Sequence, residues 1–456
     1  MRFKPLLCAL ILQGCSLAPN YSPPPECPPI EWKEQDDRGI SLSEVDPWWL
    51  VFQDDILTDL IETAIEQNPT LMVAFERIME ARGVAEAASS GLYPQLFLLP
   101  DGMSSGTVVQ GPLGVTRAHI QSYSFPFNLS YELDLFQKIR NQSRAAYLNV
   151  DVKSYDYAGI YLALTTDVAT SYFSCRSLDA QIEVLRETIQ SRQAQVEITT
   201  ARFNAGLVNY TDVSRAINEV ATAKADLETA EQLRREQENA IASLLGYYAS
   251  EYQLPKLPLQ EEAPLISADL PSQLLMRRPD VASADSFLHE QNQLIGVAMA
   301  DYFPDVLING TLGFASLDWG SLFNWKSRLW AYGYQITQMV FDGGRVSGEV
   351  QAQKARYLQA LGSYIQTTLT AFQETENALS GQTHSRAKFV LDREAVVAAQ
   401  DTRSLSYERY LKGLVTYLDV VDAERTLLSN RLEMERSRFL SFQSTILLIK
   451  ALGGGF

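Results

Sequence analysis

The chain has 456 residues, 46% hydrophobic and 20% charged, and its 38 Lys+Arg against 55 Asp+Glu leave a formal charge of −17. Such a length predicts about two or three domains, while the acidic balance excludes a nucleic-acid partner, which needs clustered Lys and Arg. No run of about 20 apolar residues is present, which excludes a transmembrane helix in the mature chain.

At the N-terminus, Arg2 and Lys4 precede an apolar run from Leu6 to Leu12 and then Gln13-Gly14-Cys15. A basic start, an apolar stretch and a small residue at the cut describe a secretory signal. LQGC resembles the lipobox of bacterial lipoproteins, so residues 1–14 read as a signal peptide and Cys15 as the lipidated first residue. Acyl chains anchor a protein to a membrane without spanning it. Losing Arg2 and Lys4 takes the charge to −17 − 2 = −19. Cys8 leaves with the signal, and whether Cys27 and Cys175 pair is open. Residues 15–50, with Pro19, Pro23, Pro24, Pro25, Pro28 and Pro29, read as an extended, lipid-anchored tether.

The rest of the chain is a tandem repeat. Arg202–Val213 (RFNAGLVNYTDV) matches Arg409–Val420 (RYLKGLVTYLDV) at an offset of 207, and Leu244-Leu245-Gly246 maps onto Ala451-Leu452-Gly453 at the same offset. Upstream, Leu92–Leu98 matches Tyr302–Ile308, and Leu133–Arg140 pairs with Gln338–Arg345. The repeats occupy 51–250 and 276–456, with a Pro-punctuated linker at 251–275.

Within the first repeat, Asn141–Arg202 contains no proline and only Gly159, and Val213–Leu245 contains neither Pro nor Gly. Val220, Ala223, Leu227, Ala230, Arg234, Gln237, Ile241 and Leu244 follow alternating 3–4 spacing, a coiled-coil-like seam. Leu428, Leu432, Glu435, Phe439, Phe442, Ile446 and Ile449 form the matching stripe in the second repeat. Both predict helix-on-helix cores in helices far beyond the usual length.

Period-2 segments lie between the helices. Tyr123, Phe125, Phe127, Leu129, Tyr131, Leu133 and Leu135 alternate with mostly polar residues; Trp330, Tyr332, Tyr334, Ile336 and Val340 do the same in the second repeat. Preceding strands at Gln95–Gly102 and Asp305–Phe314 complete hairpins at about 94–135 and 304–342. A Gly-rich loop (Gly106–Gly114) joins the first and a Trp-bearing loop (Asp318–Trp325) the second. Alternation over about 10 residues with aromatic ends is the pattern of a transmembrane β-strand. Lipid tolerates no open sheet edge. Four strands cannot close a barrel alone, so this reading requires an oligomer, and three chains would supply twelve strands. Pro126 removes one ladder donor.

These motifs together resemble the outer-membrane factor (TolC/OprM-type) efflux family, in its NodT-like lipoprotein branch. The likeness rests on CSLAPNY after the lipobox, Trp48-Trp49, Glu132–Phe136 (ELDLF), Arg277–Val281 (RRPDV), Tyr302–Pro304 (YFP), Phe341–Arg345 (FDGGR), both GLVxYxDV turns and Lys450–Phe456 (KALGGGF). It implies an α+β membrane protein, with a long α-helical barrel joined to a transmembrane β-barrel, four strands per chain, in a homotrimer with a twelve-stranded barrel. It also implies the bacterial outer membrane, an extension into the periplasm, and work as an exit duct for drugs or other solutes. The implied partners are a periplasmic adaptor, an inner-membrane pump of the RND class and outer-membrane lipid.

Gly206-Leu207-Val208 and Gly413-Leu414-Val415 are expected to cap long helices, since glycine accepts left-handed dihedrals; by resemblance they are also the adaptor-docking tips. Asp419 and Asp422, three apart at a helix start, share a face. They suit dipole capping and, by resemblance, acidic rings around a closed periplasmic gate that favour cations. Tyr410 stands at the position of a gate-constraining tyrosine, with Phe203 its repeat counterpart. Val415 occupies a position where some members carry a gate arginine, which makes Asp212 with Arg215 the candidate latch pair.

His119, His289 and His384 have no metal spacing, and neither a phosphate loop nor a nucleophile elbow is present. No enzyme activity, cofactor or metal is expected. A lipid-anchored periplasmic coiled-coil scaffold or adaptor without a pore is the alternative to the channel. The sequence names no exported solute, because a duct selects weakly.

Overall fold

The computed structural model describes residues 16–24, 31–34, 39–41, 47–111, 114–257, 259, 262–268 and 277–454. The lipobox and Cys27 lie outside these residues. Space divides the chain differently from its repeats. One compact unit holds Glu76–Ser154, Ser283–Ile365 and the described residues before 25; the other holds the described residues of 26–75, Tyr155–Ala282 and Gln366–Phe456. Each unit thus draws on both stretches read as repeats.

The helices are α1 (Asp55–Gln67), α2 (Pro69–Ser90), α3 (Lys138–Asn204), α4 (Tyr210–Leu244), α5 (Pro279–Ala300), α6 (Arg345–Leu411) and α7 (Tyr417–Ala451). The helices that the sequence matching pairs have equal lengths, 67 residues for α3 and α6 and 35 for α4 and α7. At about 1.5 Å per residue, each longer helix runs about 100 Å. Among the described residues no helix is long and apolar enough to cross a membrane.

In the second unit the two predicted stripes meet each other. Leu227 and Ala230 of α4 pack with Leu428 and Leu432 of α7 around Ile182, Val184 and Leu185 of α3. Glu435, the polar interruption of its stripe, is buried and paired with Arg438 at 3.3 Å. Trp48 and Trp49 form a 3₁₀ turn, and an aromatic chain continues from Trp48 to Phe52, Phe173 and Phe442 at centroid distances of 6.3, 5.0 and 4.6 Å. A short parallel pair joins β1 (Ile40–Ser41) to β5 (Ile266–Ser267), a contact that two-residue strands leave invisible to patterning.

Two helix junctions in this unit follow one plan. Pro69 and Pro279 each open a helix, where a missing N–H costs nothing. The residue before each proline reaches the end of a distant helix: Asn68 Nδ2 donates to the Leu244 carbonyl at 2.8 Å, and Arg278 Nη1 to that of Ala451 at 3.0 Å. The RRPDV and KALGGGF motifs are therefore contact partners. Gly453, at φ 88°, lies so close that a Cβ there would stand 2.7 Å from the Arg277 carbonyl oxygen.

The first unit carries an antiparallel sheet of β2 (Gln95–Leu98), β3 (Asp101–Gly111), β4 (Gly114–Glu132), β6 (Asp305–Ser316) and β7 (Arg328–Thr337). Because β2 and β3 pair with successive stretches of β4, they act as one arm. The stretch read as a Gly-rich loop is a correction: residues 106–111 are strand, paired from Gly106 opposite His119 to Gly111 opposite Gly114. Glycine's low strand propensity is overridden there by ladder pairing with β4. Beyond Thr337 the ladder stops, so Val340 is not in the strand.

Pairing β4 with β6 joins the hairpins and aligns their faces. Leu96, Leu129, Gly310 and Tyr332 form one row; Leu98, Phe127, Leu312 and Trp330 form the next; Tyr131, Ile308 and Tyr334 form another. Opposite-face rows are Gln95, Ser130, Asn309 and Gly333, then Phe97, Asn128, Thr311 and Ala331. One face is apolar, and the other is small or polar apart from Phe97 on the edge strand β2. Trp330, Tyr332 and Tyr334 are 65%, 84% and 78% exposed, so this chain supplies nothing to cover them. Pro126 sits opposite Gly313, where any Cβ would run into the Phe125–Pro126 backbone.

The segment expected to be a tether is held along its described part. Asn292 Nδ2 donates to the Pro19 carbonyl at 2.7 Å, and the Tyr21 ring stacks on His289 at 4.2 Å.

Gly453→Ala should lower the thermal unfolding midpoint by far more than Gly206→Ala, because Gly206 has open space around it and only left-handed strain of roughly 1–2 kcal/mol to lose. Circular dichroism melting of both variants checks this; equal shifts would contradict the junction.

Candidate functional site

The two turns that join long helices are built alike. Gly206 (φ 74°) and Gly413 (φ 71°) take the left-handed conformation. Gly206 N–H donates to the Phe203 carbonyl and Leu207 N–H to that of Arg202; Gly413 and Leu414 repeat this toward Tyr410 and Arg409. Both are Schellman ends, which satisfy carbonyls that a helix otherwise leaves orphaned. Leu207 and Leu414 project with 69% and 65% exposure, and Val208 and Val415 are half-buried. Such turns offer a solvent-facing leucine on a rigid base.

Differences appear just beyond the glycines. Asn209 makes no side-chain cap, whereas Thr416 and Asp419 form a capping box at the start of α7. The Thr416 backbone N–H and hydroxyl donate to Asp419 Oδ2 at 2.9 and 2.7 Å, which holds this carboxyl below the usual range. Asp419 and Asp422 are both exposed. Among the described residues neither is hydrogen-bonded or ion-paired to Tyr410.

Tyr410 is buried instead in an apolar cluster with Tyr417, Val420, Val421 and Ala216, against which Val415 packs. Arg202 lies over its ring at 4.8 Å, and burial pushes the phenol up. Tyr410 contacts Tyr417 at 5.5 Å and its counterpart Phe203 contacts Tyr210 at 5.6 Å, so the repeated turns keep the same aromatic pair.

The candidate latch of Asp212 with Arg215 needs correction. The two approach at 3.6 Å as an i,i+3 pair along α4. A bridge within one helix fastens no second helix. The ties between helices are elsewhere: buried Glu219 of α4 accepts from Arg425 of α7 at 2.5 and 3.0 Å and pairs with Arg192 of α3 at 3.3 Å. Arg403 of α6 pairs with Glu424 of α7 at 3.3 Å. Glu219 stands three and four residues from Ala216 and Ala223 on the inward stripe. That spacing was the available signal for its burial.

Cys175 is buried and free, with its thiol pushed up to about 12 by burial. Among the described residues no cluster of metal-binding side chains exists.

A sheet with one apolar, largely uncovered face, carried in one chain with two pairs of long helices that end in Gly-Leu-Val turns with exposed leucines, defines a membrane-inserted class of protein. The chain belongs to the outer membrane efflux protein family, whose model matches residues 60–247 and 270–454. It is 28% identical to the cation efflux system protein CusC of Escherichia coli O157:H7, over 100% of this chain and 99% of that protein. Identity is 29% to the toluene efflux pump outer membrane protein TtgI of Pseudomonas putida (100% and 99% covered) and 27% to the probable outer membrane lipoprotein SilC of Salmonella typhimurium (98% and 97%). The solved outer-membrane channel OprN superposes with a TM-score of 0.90 at 25% identity, covering 97% of this chain and 99% of that one. The chain is thus an outer-membrane efflux protein, and the pore-free scaffold alternative is set aside.

Burial raises Glu424 above the usual carboxylate range, against the lowering by Arg403 and Arg192. A raised folded value favours the protonated form, so its contribution is complete at low pH and is lost as pH rises through that value. Glu424→Gln should therefore gain stability relative to the parent between about pH 4 and pH 7. Melting curves at both pH values check this; a constant difference would show ordinary titration.

Proposed function

We propose that three copies of this chain form a passive exit duct, with a twelve-stranded barrel in the outer membrane and a helical conduit in the periplasm. No catalytic step is involved. The observation that carries the reading is the sheet: one face apolar and largely exposed, the other small or polar apart from Phe97, and two edge strands with free ladder groups. Hydrocarbon leaves such edges no partner except another strand, and a closed ring of copies provides it.

The same reading gives the helix turns two tasks. Leu207 and Leu414 dock the hairpin tips of a periplasmic adaptor, beyond which an inner-membrane pump of the RND class drives transport. Asp419 and Asp422, exposed on one side of α7, converge around the three-fold axis and favour cations. The capping of Asp419 supports the second task, because one carboxylate oxygen is held in place and the group is kept ionised. The tandem duplication, supported by the equal helix lengths, makes each chain contribute two similar staves to the ring. Relatives at 28% and 29% identity are named for cations and for toluene, which fits a duct that leaves choice of solute to its pump. The signal sequence and LQGC support an acyl anchor on Cys15, as does the lipoprotein relative.

In planar bilayers the full-length protein should conduct with cation preference, and Asp419→Ala with Asp422→Ala should raise conductance and weaken block by divalent cations. A protein that never conducts would overturn the duct; unchanged block would remove the two aspartates from the pore. Metabolic labelling with a tritiated fatty acid should mark the parent and leave Cys15→Ser unlabelled.

A further inference from the structure

The connection between β6 and β7 is ordered by its own bonds. Ser316 Oγ accepts from the Asp318 N–H at 3.1 Å and meets Ser321 Oγ at 2.7 Å, Ser327 Oγ donates to the Ser321 carbonyl at 2.8 Å, and 3₁₀ turns lie at Trp319–Ser321 and Trp325–Ser327. Leu322 is buried beneath it. The loop folds over the apolar face of the sheet. Phe323 packs on Phe125 and Phe314 at 5.5 and 5.9 Å, and Trp319 meets Tyr123 at 5.4 Å.

Even so, Trp319, Phe323 and Trp325 remain 66%, 62% and 73% exposed. An ordered loop that holds three large aromatics outward presents an amphipathic surface, the kind that settles at a membrane–water boundary. Its charge is unusual for this chain. Arg328 lies over the Trp325 ring at 5.0 Å with Lys326 beside it, both exposed, and among the described residues no carboxylate pairs with either. Asp318 is the acid of the loop. A protein with a formal charge of −17 here leaves two cations unpaired next to the end of its apolar face.

Chain direction tells which end this is. β6 follows α5, and β4 and β7 run into α3 and α6, so the helices connect at one end of the strands and this loop at the other. With the helices in the periplasm, the loop lies at the outer leaflet. This step rests on the membrane reading of the sheet proposed above.

We infer that the loop 317–328 binds a phosphorylated glycolipid of the outer leaflet, its aromatics against the sugar and upper acyl region and Lys326 and Arg328 on a phosphate. A guanidinium already placed by an aromatic ring can offer its fork to phosphate oxygens. Two cations at an anionic surface contribute about 1 kcal/mol each, or about 30-fold together.

The test uses the full-length protein in detergent and intact mass spectrometry of retained lipid. Its probes are an acylated glucosamine disaccharide bearing two phosphates, the same molecule without phosphates, phosphatidylglycerol and phosphatidylethanolamine. The parent should hold the bisphosphorylated disaccharide about 30-fold more tightly than the dephosphorylated one. Lys326→Ala with Arg328→Ala should erase that difference, while Lys326→Arg with Arg328→Lys should keep most of it. Equal affinity with and without phosphate would overturn the inference, as would a variant that keeps the full preference. Equal gain with phosphatidylglycerol would also overturn it in favour of a general anionic-lipid surface. If no lipid is retained at all, phosphatidylethanolamine included, the membrane reading itself fails.

Discussion

A sheet that exposes most of an apolar face and leaves two edges unpaired is the constraint on which this protein depends. In water those rows of Trp330, Tyr332 and Tyr334 would drive aggregation, and free edges would template further pairing. In hydrocarbon the apolar face is at rest, while each free N–H and carbonyl becomes costly. Both demands are met when the sheet is one segment of a closed wall. Under the proposed assembly, folding of the chain and closure of the wall become one problem.

The helical unit meets a different difficulty. Helices of 67 and 35 residues cannot bury an apolar face along their whole length against one neighbour, and their stripes are correspondingly thin. Alanine and polar side chains fill much of the contact, and ion pairs carry the registration. Glu219 accepts from Arg425 and pairs with Arg192, so a single carboxylate fixes three helices at once. Buried pairs of this kind contribute modestly to net stability, because desolvation offsets much of the attraction. What they supply is position: a shift of one turn leaves a charge unpaired in the interior.

Two junctions show how sequence motifs become contacts. The RRPDV and KALGGGF segments are about 170 residues apart in the chain, yet Arg278 donates to the Ala451 carbonyl and Gly453 fits under the Arg277 backbone. Their residue types make sense only together: a cation suits a helix C-terminus, proline suits a helix start, and glycine suits the close approach between them. Asn68 and Leu244 repeat the arrangement with a neutral amide.

Much of this protein was legible in its residues alone. Period-2 alternation from Tyr123 to Tyr131 and from Trp330 to Ile336 identified the strands, the offset of 207 aligned the turns, and long stretches without Pro and nearly without Gly in 141–245 marked the first two long helices, because each is a local consequence of side-chain spacing. Contacts between distant segments were not legible. The extension of β3 through its glycines depends on β4 supplying a ladder. Burial of Trp48 depends on Phe52, Phe173 and Phe442 converging from separate segments. The carboxylate that fastens the helices turned out to be Glu219, since Asp212 and Arg215 lie along one helix and close only on each other. Local spacing determines which face a residue occupies; only tertiary structure decides what stands opposite it, because partners at long separation are chosen by packing and leave no periodic trace.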